Sequence, residues 1–238
     1  MSLDQCADQY ALNLAPEAEL ALSLRADDED SWSRDKVAGH RLIRPTLEAA
    51  LAFQPDVVIR YWGGEPRLFT ALERRGIRVL TIEDATDMAG VRRNVSTIAA
   101  GLNQQDRGQA LISRMDDQLD SAKGAGQGRS LLYVTPGGYT GAQGTLIDAI
   151  LTSAGFTNAS KGGGYVPIGV ERLIFNPPVL VVRGFYNLWR SNWRASGRHP
   201  VVERLTKSRS VTDLSASTLS CPAWFAAEAS VQLAKAVK

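Results

Sequence analysis

Short apolar runs alternate along the chain with stretches in which apolar residues recur every three or four positions. Six runs read as buried strands: 20–24, 56–62, 78–82, 130–134, 179–184 and 210–214. Between them, PTLEAALAF (45–53) and PRLFTALERRG (66–76) carry helical spacing, and Gly76 stands where a helix stops. Such alternation predicts parallel sheets covered by helices. It is interrupted once, from Met88 to Lys123, where only helix is predicted. Met88, Val91, Val95, Ile98 and Leu102 keep one stripe, Gly101 to Asn103 break it, and Leu111, Met115 and Leu119 form the next. GAGQG (124–128) then releases the chain into another strand. The predicted fold class is α/β: two α/β lobes with parallel sheets joined by a long interlobe α-helix. The expected divisions are an N-terminal lobe over 1–84, a helical segment over 85–126 and a C-terminal lobe over 127–238.

Composition changes this picture little. In 238 residues, 44% hydrophobic and 22% charged content suit an ordinary globular protein. A net charge of +2 gives no ground for a nucleic-acid or membrane-surface partner. No run reaches the roughly 18 apolar residues of a membrane span. The chain does not open with a basic-then-apolar leader, and LDQCADQYALNLA already reads as a strand end entering a helix. An export signal is therefore expected to lie outside this sequence. Cys6 and Cys221 have two readings: separate buried thiols, or a disulfide made in an oxidising compartment.

The stretch LLYVTPGGYTGAQGTLID (131–148) runs from a strand through a glycine-rich turn into a helix. It lacks the lysine and glycine spacing of a Walker loop, and no GxGxxG fingerprint is legible. GxSxG, HExxH and CxxC are absent as well. His40, His199, Cys6 and Cys221 have no ligand-like local spacing, so no metal site is predicted.

What remains is a binding cleft, because ligands of open α/β sheets lie beyond the carboxyl ends of the strands. RADDEDSWS, YWGGEP, PGGYTG and RGFYNLWRSNWRASGRH follow predicted strand ends. They hold many of the chain's aromatics, and glycine beside an aromatic clears space for a bulky ring-bearing ligand. In 183–199, Phe185, Trp189 and Trp193 recur every four residues beside Tyr186, Arg190 and Arg194. If helical, this segment carries an aromatic ridge next to an arginine ridge. It either packs on the sheet with solvated arginines or captures an anion.

Several phrases in order resemble the class III periplasmic substrate-binding proteins of ABC importers, which carry vitamin B12, ferric siderophores or haem. SLDQCADQYALNLAP is similar to the family's opening strand and helix, and TLEAALAFQPDVVIRYWGG to its helix, "PD" and strand leading into a cleft loop. LERRGIRVLTIEDATDMAGVRRNVSTIAAGL, RGQALISRMDDQLDSA and RSLLYVTPGGYTGAQGTLIDAILTSAGFTNA continue the likeness over nearly the whole chain. The resemblance implies a receptor without a cofactor, not an enzyme. It would be periplasmic, or extracellular and lipid-anchored, act as a monomer and deliver its ligand to an ABC importer permease.

Tyr61, Trp62 and Gly63 would line the cleft from the first lobe, and Pro136, Gly137, Gly138 and Tyr139 from the second. Trp32, Tyr165, Arg183, Tyr186, Arg190, Trp193 and Trp224 complete the expected binding set. Glu65 and Glu171 match acidic positions through which the family docks on its permease; an ordinary helix N-terminal acid is the plain alternative for both. The leading ligand is an iron–siderophore or similar metal complex. Cobalamin follows, then haem, whose iron needs an axial ligand such as Tyr61, Tyr139, Tyr165 or His40. The alternative of another class is a two-lobed enzyme such as a nucleotide-sugar transferase, with Asp4, Asp27, Asp28 or Asp84 as general acid or base.

Overall fold

Alternation of apolar positions becomes parallel strands and helices in the structure, a computed structural model that describes residues 1–188 and 195–237. The chain divides into two units, Met1–Asp84 with Ala89–Ser113, and Ala85–Met88 with Arg114–Lys238. The first holds α1 (Gln5–Leu14), β1 (Ala21–Ser23), β2 (Arg41–Ile43), α2 (Leu47–Phe53), β3 (Val57–Tyr61), α3 (Pro66–Glu73), β4 (Arg78–Ile82) and most of α4 (Met88–Gly101). Helix α5 (Gln105–Ala122) contributes residues to both units.

β1 pairs parallel with β2, and β3 with β4. Residues 1–3 lie extended between the two pairs: the Ser2 amide donates to Ala21 O at 2.9 Å, the Leu3 amide to Ile59 O at 3.0 Å and the Ile59 amide to Met1 O at 2.9 Å. The resulting parallel array runs β2, β1, residues 1–3, β3, β4. Strand β2 has only three residues, too few for a periodicity to register. Val58, Leu72, Ala50 and Ala21 form the core beneath this array. Fully burying a side chain of valine or leucine size contributes about 1.5–3 kcal/mol.

Every residue of α1 except Asn13 is buried, including the polar Gln5, Asp8 and Gln9. Buried polar groups are tolerated when hydrogen-bonded. Asp8 accepts from the Ser2 hydroxyl, from the Ser23 amide at 2.9 Å and from the Ser23 hydroxyl at 2.6 Å.

The second unit contains β5 (Ser130–Val134), β6 (Tyr139–Gly141), α6 (Leu146–Ser153), β7 (Thr157–Asn158), β8 (Tyr165–Pro167), α7 (Val170–Phe175), β9 (Leu180–Gly184), α8 (Pro200–Ser208), β10 (Ser210–Leu214), α9 (Ala216–Leu219) and α10 (Ala226–Ala236). Its parallel sheet has the order β10-β9-β5-β7. Successive residues of β5 serve opposite faces. Leu131 and Tyr133 join Ile147, Ile150, Leu151 and Leu233 in one core, while Leu132 and Val134 join Leu173, Tyr186 and Val202 in another. Beside this sheet, β6 and β8 form a short antiparallel ribbon that the expectation of parallel sheets did not include.

Among the described residues of the arginine- and tryptophan-rich segment, 183–188 carry no helix. Arg183 is in β9, Phe185 is left-handed at φ 64°, and Tyr186 and Asn187 form a turn. Cys6 and Cys221 are buried, and neither is a free thiol. Among the described residues, no helix is long and apolar enough to cross a membrane.

Candidate ligand-binding site

In the first unit, one helix terminus organises the strand-end loops. Asp4 caps α1, with Oδ1 accepting from the Ala7 amide at 2.9 Å, and its Oδ2 accepts from the Tyr61 amide at 2.7 Å. One carboxylate thus starts the helix and fixes the loop after β3. The Tyr61 hydroxyl donates to Asp84 Oδ1 at 2.6 Å, and the Tyr61 and Trp62 rings meet edge to face at 6.1 Å. Trp62 remains exposed. Gly63 and Gly64 both adopt φ +83°, a left-handed conformation that side chains rarely take. Glu65 then caps α3, its Oε1 accepting from the Arg67 amide at 3.3 Å, with Pro66 in the first turn.

Asp4, Tyr61, Trp62, Gly63, Gly64 and Glu65 border a cavity of about 250 Å³, together with Leu3, Pro45, Leu68 and Phe69. Arg60 lies along it with its guanidinium carbon 4.0 Å from the Phe69 ring centre. It donates to Thr81 Oγ1 at 3.1 Å and to Gly63 O, so its charge is tied to the loop. The lining offers aromatic and aliphatic surface with few polar groups, which suits the wall of an organic ligand site.

The second loop beside α1 carries Trp32. Gln5 Nε2 donates to Asp30 Oδ1 at 2.7 Å, and Gln9 binds on both sides of Trp32, which is half-buried.

In the second unit, the turn after β5 is closed by Thr135. Its hydroxyl donates to Tyr139 O at 2.9 Å and accepts from the Tyr139 amide at 3.1 Å. Gly138 has φ +79°, and a Cβ there would collide with Ser196 Oγ. Tyr139 and Tyr165 belong to the antiparallel ribbon, in which Tyr139 faces Pro167 and Gly141 faces Tyr165. Both tyrosines are more than half exposed, at 51% and 65%. Pro136 is buried in the same turn.

Three other expected ligand contacts lie in packed surroundings. Trp224 is 1% exposed, with its ring edge to face on Phe225 at 5.4 Å. Arg183 is 5% exposed; its guanidinium carbon sits 4.0 Å from the Tyr186 ring centre and its Nε 3.5 Å from Asp213 Oδ1. The Tyr186 hydroxyl donates to Gly197 O at 3.1 Å, and burial raises its pKa. In this conformation these side chains offer little surface to a ligand. Anion capture by Arg183 therefore loses its geometric basis, because a guanidinium packed on a ring and beside a carboxylate is already compensated. Arg190 and Trp193 lie outside the described residues.

Glu171 is exposed in the first turn of α7. Sequence reading had not singled out Gln9, Arg60 or Phe69 and had named Asp84 only as a candidate acid or base. Their roles depend on partners about 10 to 25 residues away, and no local spacing marks them. Among the described residues there is no group of three His, Cys, Asp or Glu side chains placed to hold a metal ion.

The sequence profile of the periplasmic binding protein family matches residues 11–216. No curated protein matches the chain. Among solved structures, a periplasmic heme-binding protein BhuT in complex with two hemes superposes with a TM-score of 0.75 at 21% identity, covering 100% of this chain and 98% of that one. The periplasmic vitamin B12 binding protein BtuF of Vibrio cholerae gives 0.62 at 17% identity, over 99% and 94%. A protein of an ABC-type Fe3+-hydroxamate transport system from Saccharomonospora viridis DSM 43017 gives 0.69 at 19% identity, over 99% and 91%. At these identities the likeness is one of fold.

Proposed function

Since the chain belongs to the periplasmic binding protein family, whose members hold solutes without transforming them, we propose that it is the receptor of an ABC importer for a ferric siderophore or similar metal complex. Such receptors work outside the cytoplasm. The observation that carries the reading is the exposure of Trp62, Tyr139 and Tyr165 on short, hydrogen-bonded segments near strand ends. Exposed aromatics held in place bind a large planar or ring-bearing ligand with little loss of conformational entropy. Trp32, Tyr61 and Gly63 complete the surface of the first unit, and Pro136 and Gly138 shape that of the second.

A second reading, haem, draws on the hydrogen bond from Tyr61 to Asp84. A phenol that already shares its proton with a carboxylate is prepared to give that proton up if its oxygen meets ferric iron.

Glu65 and Glu171 are proposed as the acidic contacts with the permease, supported by their exposure. For Glu65 the cap on α3 supplies a local reason as well. The absence of a free thiol supports pairing of Cys6 with Cys221, as expected in an oxidising compartment. The helical segment 85–126 is proposed as the connection between lobes, the protein as a monomer, and a lipid anchor as an alternative to free periplasmic residence.

The test is titration of intrinsic tryptophan fluorescence with a ferric trihydroxamate, cyanocobalamin and haemin. Saturable one-to-one quenching by one of them establishes the receptor and its ligand class. Absence of saturation by all three refutes the metal-complex reading and leaves the binding role to a solute of another class.

A further inference from the structure

Helix α1 exposes almost nothing to solvent, yet one side of it carries three carboxamides in succession, Gln5, Gln9 and the half-buried Asn13. Spaced by four, they lie on one side of the helix. All three grip the segment 30–36. Gln5 donates to Asp30 Oδ1 at 2.7 Å. Gln9 Nε2 donates to Ser31 Oγ at 2.9 Å, while its Oε1 accepts from the Ser33 amide at 2.7 Å. Asn13 Nδ2 donates to Ser33 Oγ at 2.8 Å, and its Oδ1 accepts from Lys36 Nζ at 2.6 Å.

Gln9 is the centre of this ladder and is 1% exposed. The second hydrogen of its amide goes to Gln5 O at 3.1 Å, so both donors and the acceptor are engaged. A buried amide stabilises little on balance compared with an apolar side chain of its size, because its hydrogen bonds mainly repay desolvation. What it supplies is direction. Ser31 and Ser33 are the two neighbours of Trp32, both are buried, and one amide holds both. The backbone of Trp32 is therefore clamped from each side while the indole stays half-buried. The same helix reaches the other aromatic loop, since Asp4 at its start holds the Tyr61 amide.

We propose that Gln9 is a positioning residue for Trp32, and so for the ligand-binding surface of the first unit. The link to ligand rests on the reading of Trp32 as part of that surface. An apolar residue at position 9 would pack against the segment without fixing its register or rotation, and the tryptophan would sample several orientations.

The experiment uses the full chain labelled with 5-fluorotryptophan, whose five fluorine resonances are resolved by NMR, that of Trp32 being assigned through Trp32→Phe. In Gln9→Met the Trp32 resonance is expected to shift or broaden while that of core Trp224 keeps its position. In parallel, affinity for whichever of the ferric trihydroxamate, cyanocobalamin or haemin binds the parent protein is expected to fall about tenfold. It should fall no further when Gln9→Met is added to Trp32→Phe.

An unchanged Trp32 resonance in Gln9→Met overturns the proposal. So does an affinity loss that persists in full in the Trp32→Phe background, which marks a general structural effect. If none of the three ligands binds the parent, the metal-complex reading fails, and the fluorine shift alone decides whether Gln9 holds Trp32. Should Gln9→Met not fold, Gln9→Glu keeps the acceptor for Ser33 and removes the donor to Ser31. An intermediate shift of the same resonance is then expected, and no shift overturns the proposal.

Discussion

Replacing Asp8 by asparagine should change the pH dependence of stability with a definite sign. Asp8 is fully buried in the first unit. Its pKa is raised from 3.8 to about 6: burial is the main cause, the nearby Asp4 charge adds to it, and hydrogen bonds from Ser2 and Ser23 oppose it. The folded protein therefore holds this proton more tightly than the unfolded chain does. The resulting stabilisation is complete below pH 3.8, declines between 3.8 and 6, and is gone above that. At 1.36 kcal/mol per pH unit, a shift of roughly two units corresponds to about 3 kcal/mol.

The Met1 amine also faces Asp8; burial lowers its pKa from 8.0 to about 6 against the opposing charges of Asp8 and Asp56, and its contribution fades as pH falls between those values. Most of that change lies above the range in which Asp8 acts. The informative quantity is the difference between parent and Asp8→Asn, measured by urea unfolding from pH 4 to 7. The parent should gain roughly 2–2.5 kcal/mol relative to the variant as pH drops from 7 to 4. A difference that stays constant across this range refutes the assignment of a raised pKa to Asp8.

Trp62→Ala and Tyr139→Ala should each weaken binding of the quenching ligand about 10- to 30-fold, on the order of 1.5–2 kcal/mol, with melting temperature nearly unchanged, as titration and calorimetry will show. Gly138→Ala should lower thermal stability by about 1–3 kcal/mol, because it combines left-handed backbone with a collision against Ser196. Cys6→Ser and Cys221→Ser should destabilise by similar amounts, about 2–4 kcal/mol, and the double variant no more than either alone in chemical denaturation; unequal or additive losses exclude their pairing. Glu171→Arg should leave ligand affinity unchanged and abolish uptake in cells carrying the importer, whereas loss of binding would place Glu171 in the ligand site.

Sequence by itself determined the elements whose signals are local. The run Ser130–Val134 had to be a strand apolar on both faces, and it forms β5 with Leu131 and Leu132 in opposite cores. Gly76 had to follow a helix, and it takes φ +76° just beyond α3. The order of such phrases was enough to indicate the family that the profile match shows. Only the tertiary structure decided which aromatics keep exposed surface. Trp62, Tyr139 and Tyr165 are exposed, whereas Trp224 and Tyr186 are enclosed. Nothing in their immediate neighbours distinguishes the two groups, since burial depends on the elements that pack over each residue. Arg183 belongs to the binding set expected from sequence, whereas in the structure its guanidinium packs against Tyr186 and lies beside Asp213. Gln9 stood unremarked on an apolar helix, because an amide acquires a role only when folding brings Ser31 and Ser33 within hydrogen-bonding distance.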